Sequence, residues 1–183
     1  MNRLTIPKVV LAGLFTIVAG CGDDDGSSPS DATGFTATLS GANEVPAVTT
    51  PATGTATFTV SGNQITYTIN ATNLTNAVLG HIHLAAVGVN GPVRLNLCGT
   101  GDPQPACTSQ PGTTGVVATG TNGTTVGTPP ITFEDLLAAM RTGGAYVNVH
   151  TNTPGCTQGQ PGCNPGGEIR GQIVTADQPA GAN

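Results

Sequence analysis

The 183-residue chain is poor in charge, with 5 basic and 10 acidic residues and a formal net charge of −5, and aromatics make up only 3% of it. Two of the basic residues, Arg3 and Lys8, sit at the extreme N-terminus, which leaves Arg94, Arg141 and Arg170 as the cations of everything beyond. A surface that binds phosphates needs clustered cations, so nucleic acid is excluded as a partner, and the length suits one domain.

Behind Arg3 and Lys8 comes an apolar run, 9–20, too short to cross a bilayer as a helix and laid out like a secretory signal. Val18-Ala19-Gly20-Cys21 resembles the lipobox of bacterial lipoproteins, in which the cysteine is lipidated and becomes the first mature residue. The resemblance implies a signal peptide over 1–20, lipidation at Cys21 and a place in the bacterial cell envelope. There the chain would be held to a membrane by its N-terminal lipid and would face the periplasm or the exterior. Residues 21–33 carry Asp23-Asp24-Asp25 and then Gly, Ser and Pro; they lack the apolar content to fold and are expected to form a flexible acidic tether.

From Gly34 the texture changes. Phe35, Ala37 and Leu39 alternate with Thr36, Thr38 and Ser40, the period of a half-buried strand. A loop over 41–51 with Glu44 and Pro46 follows. Next come strands over 55–60 and 65–71 around Ser61-Gly62-Asn63-Gln64, which reads as a hairpin turn. Strands over 81–86 and 92–97 flank a turn through Gly88 and Gly91, and a weak strand is expected at 116–118. Thr132 is a good N-cap for a helix that carries the acids Glu134 and Asp135 in its first turn, runs through Leu136 to Met140 and stops at Gly143-Gly144. Strands over 146–150 and 167–174 complete the domain, 34–175, and 176–183 is expected to be a disordered tail.

Export places the cysteines in an oxidising compartment. Four cysteines follow Cys21, and nearest-neighbour pairing, Cys98 with Cys107 and Cys156 with Cys163, would close two short loops rich in Gly, Pro and Gln. Zinc ligation would show the tight two-residue spacing that these pairs lack. Seven or eight short strands, many glycines and one short helix argue an all-β fold, an antiparallel Greek-key sandwich or barrel.

Four stretches in order, Leu39-Ser40-Gly41-Ala42-Asn43-Glu44-Val45-Pro46, His81-Ile82-His83 with Gly88, Gly91 and Pro92, Tyr146-Val147-Asn148-Val149-His150-Thr151, and Gly167-Glu168-Ile169-Arg170-Gly171-Gln172-Ile173, resemble the CHRD domain, named for the repeats of chordin. The resemblance runs from Gly34 to Val174. Two insertions, 98–130 and 154–165, depart from the family pattern, each with one cysteine pair. It implies an extracellular β domain whose bacterial role is generally unassigned; with the lipobox and the acidic tether, the expectation is a binding or structural module with an unidentified partner in the envelope or outside the cell, rather than an enzyme.

All 3 histidines of the chain fall on polar faces of predicted strands. His81 and His83 point the same way, as do Tyr146, Asn148 and His150. Two readings lead for this face, with a small anion held by Arg beside Glu and His as a third. In one, His81, His83 and His150 bind copper or zinc, with Glu168 as a fourth ligand or as a group that orients a histidine. In the other the face is a hydrogen-bonded network in which Glu44 or Glu168 pairs with Arg94 or Arg170 and the histidines bond to Asn148 or the backbone. The His-x-His strand is also similar to the copper-ligand strand of copper-zinc superoxide dismutases, themselves Greek-key barrels, but 3 histidines are too few for their full metal-bridging set. Neither a nucleophile elbow nor a phosphate-cradling glycine motif is present in the sequence.

Overall fold

The computed structural model describes residues 32–99, 104–108 and 114–177. The signal peptide, Cys21, most of the tether and the end of the tail lie outside the described residues.

Alternating Thr and apolar residues build three successive strands, β1 (Gly34–Ser40), β2 (Thr53–Ser61) and β3 (Gln64–Thr72). The hairpin between β2 and β3 turns where the sequence places it, with Ser61 opposite Gln64 and Gly62 at φ 55°. Then follow β4 (Ala77–Leu84), β5 (Val93–Cys98), β6 (Thr114–Asn122), helix α1 (Phe133–Arg141), β7 (Ala145–Thr151), β8 (Ile169–Gln172) and β9 (Val174–Thr175). Thr132 caps α1 as its sequence predicts. Its side chain accepts from the Asp135 backbone, and Asp135 reaches back to the Thr132 backbone, a reciprocal box that satisfies two otherwise orphaned amides.

Every pairing is antiparallel, in the order β5-β4-β7-β8-β1-β2-β3-β6, with β9 on β1. The two ends of this order approach each other. Leu95 of β5 bridges Thr125 just past β6, Val126 donates to the Arg94 carbonyl at 2.9 Å, and Asn122 donates to the Asn96 carbonyl at 2.8 Å. The Cys98–Cys107 disulfide adds a covalent tie, because Thr108 next to Cys107 donates to the Val117 carbonyl of β6 at 2.8 Å. The sheet is thus a nearly closed barrel. Around it β4, β5 and β6 are successive neighbours, β7 returns beside β4, and β3 lies beside β6, which makes the connections Greek keys.

Inside the barrel lie Leu39, Ala56, Phe58, Ile65, Tyr67, Ile69, Ile82, Leu95, Leu97, Val147, Val149 and Ile169, all nearly inaccessible. Helix α1 adds Leu136, Leu137 and Met140 to the same apolar cluster. The outer face differs from one side to the other. On β2, β3 and β6 it is a wall of threonines open to solvent, with hydroxyls paired across strands at Thr66–Thr121 (3.2 Å) and Thr72–Thr114 (2.7 Å). On β4, β7 and β8 three loops, 41–52, 85–92 and 152–168, fold over it, and as a result β7 is buried along its whole length.

Several elements depart from the sequence reading. Strand β4 starts at Ala77, four residues before His81, because Ala77-Val78-Leu79-Gly80 has no apolar-polar alternation and a bulge between Ala77 and Leu79 disrupts the register. Strand β6 is a full nine-residue strand, disguised by its glycines and by a register shift opposite Ile69/Asn70. The last predicted strand is two, β8 and β9, with Ile173 between them donating to the Ala145 carbonyl at 2.9 Å. Both disulfides pair as nearest neighbours, Cys98–Cys107 and Cys156–Cys163.

Candidate metal centre

Strands β4 and β7 pair so that His81 stands opposite Asn148, His83 opposite Tyr146 and Leu79 opposite His150. Ile82 and Val147 point into the core, so the alternating residues His81, His83, Tyr146, Asn148 and His150 share the outer, loop-covered face. The three imidazoles converge there. Ring centroids are 5.7 Å apart for His81–His83, 5.0 Å for His81–His150 and 6.1 Å for His83–His150. One ligand nitrogen from each lies within 4.8 Å of the other two, and among the described residues no other group of His, Cys, Asp and Glu is so placed.

Backbone carbonyls fix which nitrogens face inward. His83 Nδ1 is 2.9 Å from the Gly91 oxygen and His150 Nδ1 is 2.9 Å from the Pro165 oxygen. A carbonyl only accepts, so each Nδ1 carries the proton and each Nε2 presents a lone pair. His81 Nδ1 faces the His150 Nε2 at 3.1 Å and donates to it. That separation is close to the roughly 3.3 Å between two nitrogens bound at about 2.0–2.1 Å to one tetrahedral ion. His83 Nε2 is buried without a hydrogen-bond partner, an orphan that a cation at the cluster would satisfy.

Burial, reinforced by the neighbouring His150 and His83, pushes the His81 pKa down to about 4. Burial likewise lowers His83 and His150, against the opposing hydrogen bonds to Gly91 and Pro165. The rings are therefore neutral at physiological pH, the form that ligates metal.

Behind the histidines lies a second layer. The Tyr146 ring stacks on His83 at 4.8 Å and 11°, its hydroxyl accepts from Gly91 N at 3.1 Å, and Arg170 from β8 lies over the same ring at 3.4 Å. Arg170 is only 2% exposed and donates to Asn90 Oδ1 at 3.0 Å and to the Val89 carbonyl at 2.5 Å. The cation thus fastens the 85–92 loop, whose Gly91 carbonyl holds His83. Glu44 accepts from Asn148 at 3.4 Å through Oε2, and its Oε1 is buried without a partner. Burial raises its pKa to about 7, although the Arg170 charge and the Asn148 bond pull it back.

Two residues expected on this face belong elsewhere. Glu168 does not join the histidines: it is fully buried, and its carboxylate accepts from Thr50 Oγ1 (2.6 Å), Thr151 Oγ1 (2.5 Å) and Gly162 N (2.7 Å), which pins the 41–52 and 152–168 loops together. Arg94 does not pair with Glu44 or Glu168. It donates to the Pro129 carbonyl at 2.9 Å and holds the segment after β6 against β5. The expected Glu–Arg ion pairs are not formed; among the described residues the ion pair is Arg141–Glu134, 3.2 Å, on α1. Glu44, Asn148 and Arg170 do share one layer, with Asn148 and Arg170 directly opposite across β7 and β8. The sequence reading missed the Gly91 and Pro165 carbonyls, which carry no side-chain signal.

The lone pairs of His83 and His150 Nε2, and His81 Nδ1 once its proton has shifted to Nε2, give three neutral nitrogens with no thiolate or carboxylate among them, a donor set able to hold copper or zinc with a coordination position to spare. No curated protein matches the chain. The profile of the CHRD domain matches residues 35–173, from the first strand to the residue between β8 and β9. That span takes in β2 to β8, nearly all of β1 and all three histidines, and the chain belongs to the CHRD domain family.

Proposed function

We propose that this CHRD domain is a metal-binding module of the bacterial cell envelope, lipid-anchored through Cys21, which holds one copper or zinc ion on His81, His83 and His150. The supporting observation is the convergence of three ligand nitrogens within 4.8 Å, two of them aimed by carbonyl bonds to the far side of the ring. Hydrogen bonds that orient a ligand from behind raise its basicity and fix its tautomer. The lipobox and the two disulfides support export and anchoring.

Metal analysis of the purified protein beside a variant with all three histidines changed to Ala tests the site. One equivalent of metal in the parent and none in the variant is expected, with a melting temperature that rises on adding copper or zinc to the parent alone. Absence of stoichiometric metal and of any shift in melting would overturn the reading. Anchoring has its own test: labelled fatty acid is incorporated by the parent chain and not by Cys21→Ala, and no incorporation by the parent rules the lipid out.

A further inference from the structure

We infer that the ion suited to this site is monovalent copper, bound through His81 Nδ1 and the Nε2 atoms of His83 and His150, in preference to zinc; the inference rests on the metal reading above. The donor set is three neutral imidazoles. Neither Glu44 nor Glu168 joins it, and Cys98, Cys107, Cys156 and Cys163 are consumed in disulfides. A divalent ion would therefore bring two uncompensated charges beneath the loops, where His83 and His150 are each 8% exposed. The cost of burying an ion grows with the square of its charge, so a bare divalent ion is about four times as costly to desolvate as a monovalent one of similar size.

Arg170 adds to that difference. Its guanidinium lies 3.4 Å over the Tyr146 ring, which itself stacks on His83, and it repels a doubly charged ion twice as strongly as a singly charged one. Coordination number points the same way. Zinc completes a tetrahedron and would have to recruit a fourth ligand, whereas cuprous copper is content with three nitrogens. Thiolate and thioether groups hold cuprous copper through softness, but Met140 is buried in the apolar core with α1. Charge and ligand count, not softness, select the ion here.

The mixed ligation has a geometric basis. His81 already directs Nδ1 at His150 Nε2 across 3.1 Å, so an ion enters between them when the Nδ1 proton is lost to solvent and His81 takes one up on Nε2, a change of tautomer that keeps the ring neutral and needs no half-turn of either ring.

The test is an anaerobic titration of the full mature chain with copper(I) held in a bicinchoninate competitor, beside a zinc(II) titration against a chromophoric chelator. One equivalent of copper(I), bound about a hundredfold or more tighter than zinc(II), is the expected result. X-ray absorption should show a cuprous edge with three nitrogen neighbours. The partly exposed ligand gives the decisive variant: His81→Gly should lose copper(I) and regain it on adding imidazole, with an unchanged circular dichroism spectrum. Zinc bound as tightly as copper(I), or a site that retains copper(II) alone, would overturn the inference and leave the metal reading standing. No retained ion of any kind would instead end the metal reading itself.

Discussion

His150 donates its Nδ1 proton to the carbonyl of Pro165 at 2.9 Å, and this bond turns Nε2 toward His81. Pro165 lies two residues beyond Cys163, whose disulfide to Cys156 closes the loop. Between them Asn164 accepts from Thr151 N through its carbonyl, and Asn164 N donates to Thr151 Oγ1 at 3.0 Å. The orientation of the His150 imidazole thus depends on a crosslinked loop.

Changing Cys156 and Cys163 together to Ser should weaken metal binding as well as lower stability by about 2–3 kcal/mol, the loop-closure value for so short a ring. Removing the Cys98–Cys107 bond, whose loop supplies no carbonyl to the histidines, should lower stability with metal affinity kept. Isothermal titration with copper and thermal melts of both variants check this. Equal loss of affinity in the two would contradict it.

The Tyr146 stack separates into two contributions. Tyr146→Phe keeps the ring against His83 and Arg170 but leaves Gly91 N without its hydroxyl partner, at a cost of about 1 kcal/mol. Tyr146→Ala removes the ring and should cost about 3–5 kcal/mol and loosen His83. Denaturant melts give both numbers. Arg170→Lys is expected to behave as a disruptive change, since a point charge cannot lie flat on the ring and also reach Asn90 and Val89.

Opposite pH slopes are expected from two groups of the site. The unfolded chain protonates His81 near 6.5 and the folded chain only near 4, so between these values the unfolded state holds more protons. Stability from His81 is complete above 6.5 and is lost as pH falls toward 4. Glu44 protonates near 7 when folded and near 4.5 when unfolded, so the folded state holds the extra proton in that window and stability is lost as pH rises through it. In Glu44→Gln, which fixes the neutral form, the melting temperature should exceed that of the parent at pH 8 and match it at pH 4.5. Parallel curves across the whole range would show that Glu44 is not held neutral.

Gly167 has φ 131°, and a Cβ there would press on Asn148 Oδ1 and come within 2.7 Å of Glu44 Oε1. Both backbone and space forbid a side chain. Gly167→Ala should destabilise the domain by about 1–3 kcal/mol, read from urea midpoints, whereas Gly62→Ala should be milder because only its φ of 55° opposes it.

Much of the barrel was legible because its signals are local. The Ser61-Gly62-Asn63-Gln64 turn, the Thr132 cap and the threonine alternation of β1 to β3 each reside in a few consecutive residues. The common face of His81 and His83 needs only strand period. Their meeting with His150, 69 residues beyond His81, is set by the β4–β7 pairing, which no local pattern encodes. Glu168 was misplaced for a related reason. It precedes β8, and its orientation is set by Thr50, Thr151 and Gly162 from two loops, so alternation counted back from Ile169 does not apply to it.

Strand β7 keeps two duties apart. Val147 and Val149 seal the interior, while Asn148 and His150, next door in sequence, belong to the polar cluster under the loops. Drift at positions 81, 83 or 150 leaves the interior side chains untouched, and drift at Val147 leaves the imidazoles in place. A lineage can therefore rewrite the outer polar cluster on an inherited barrel.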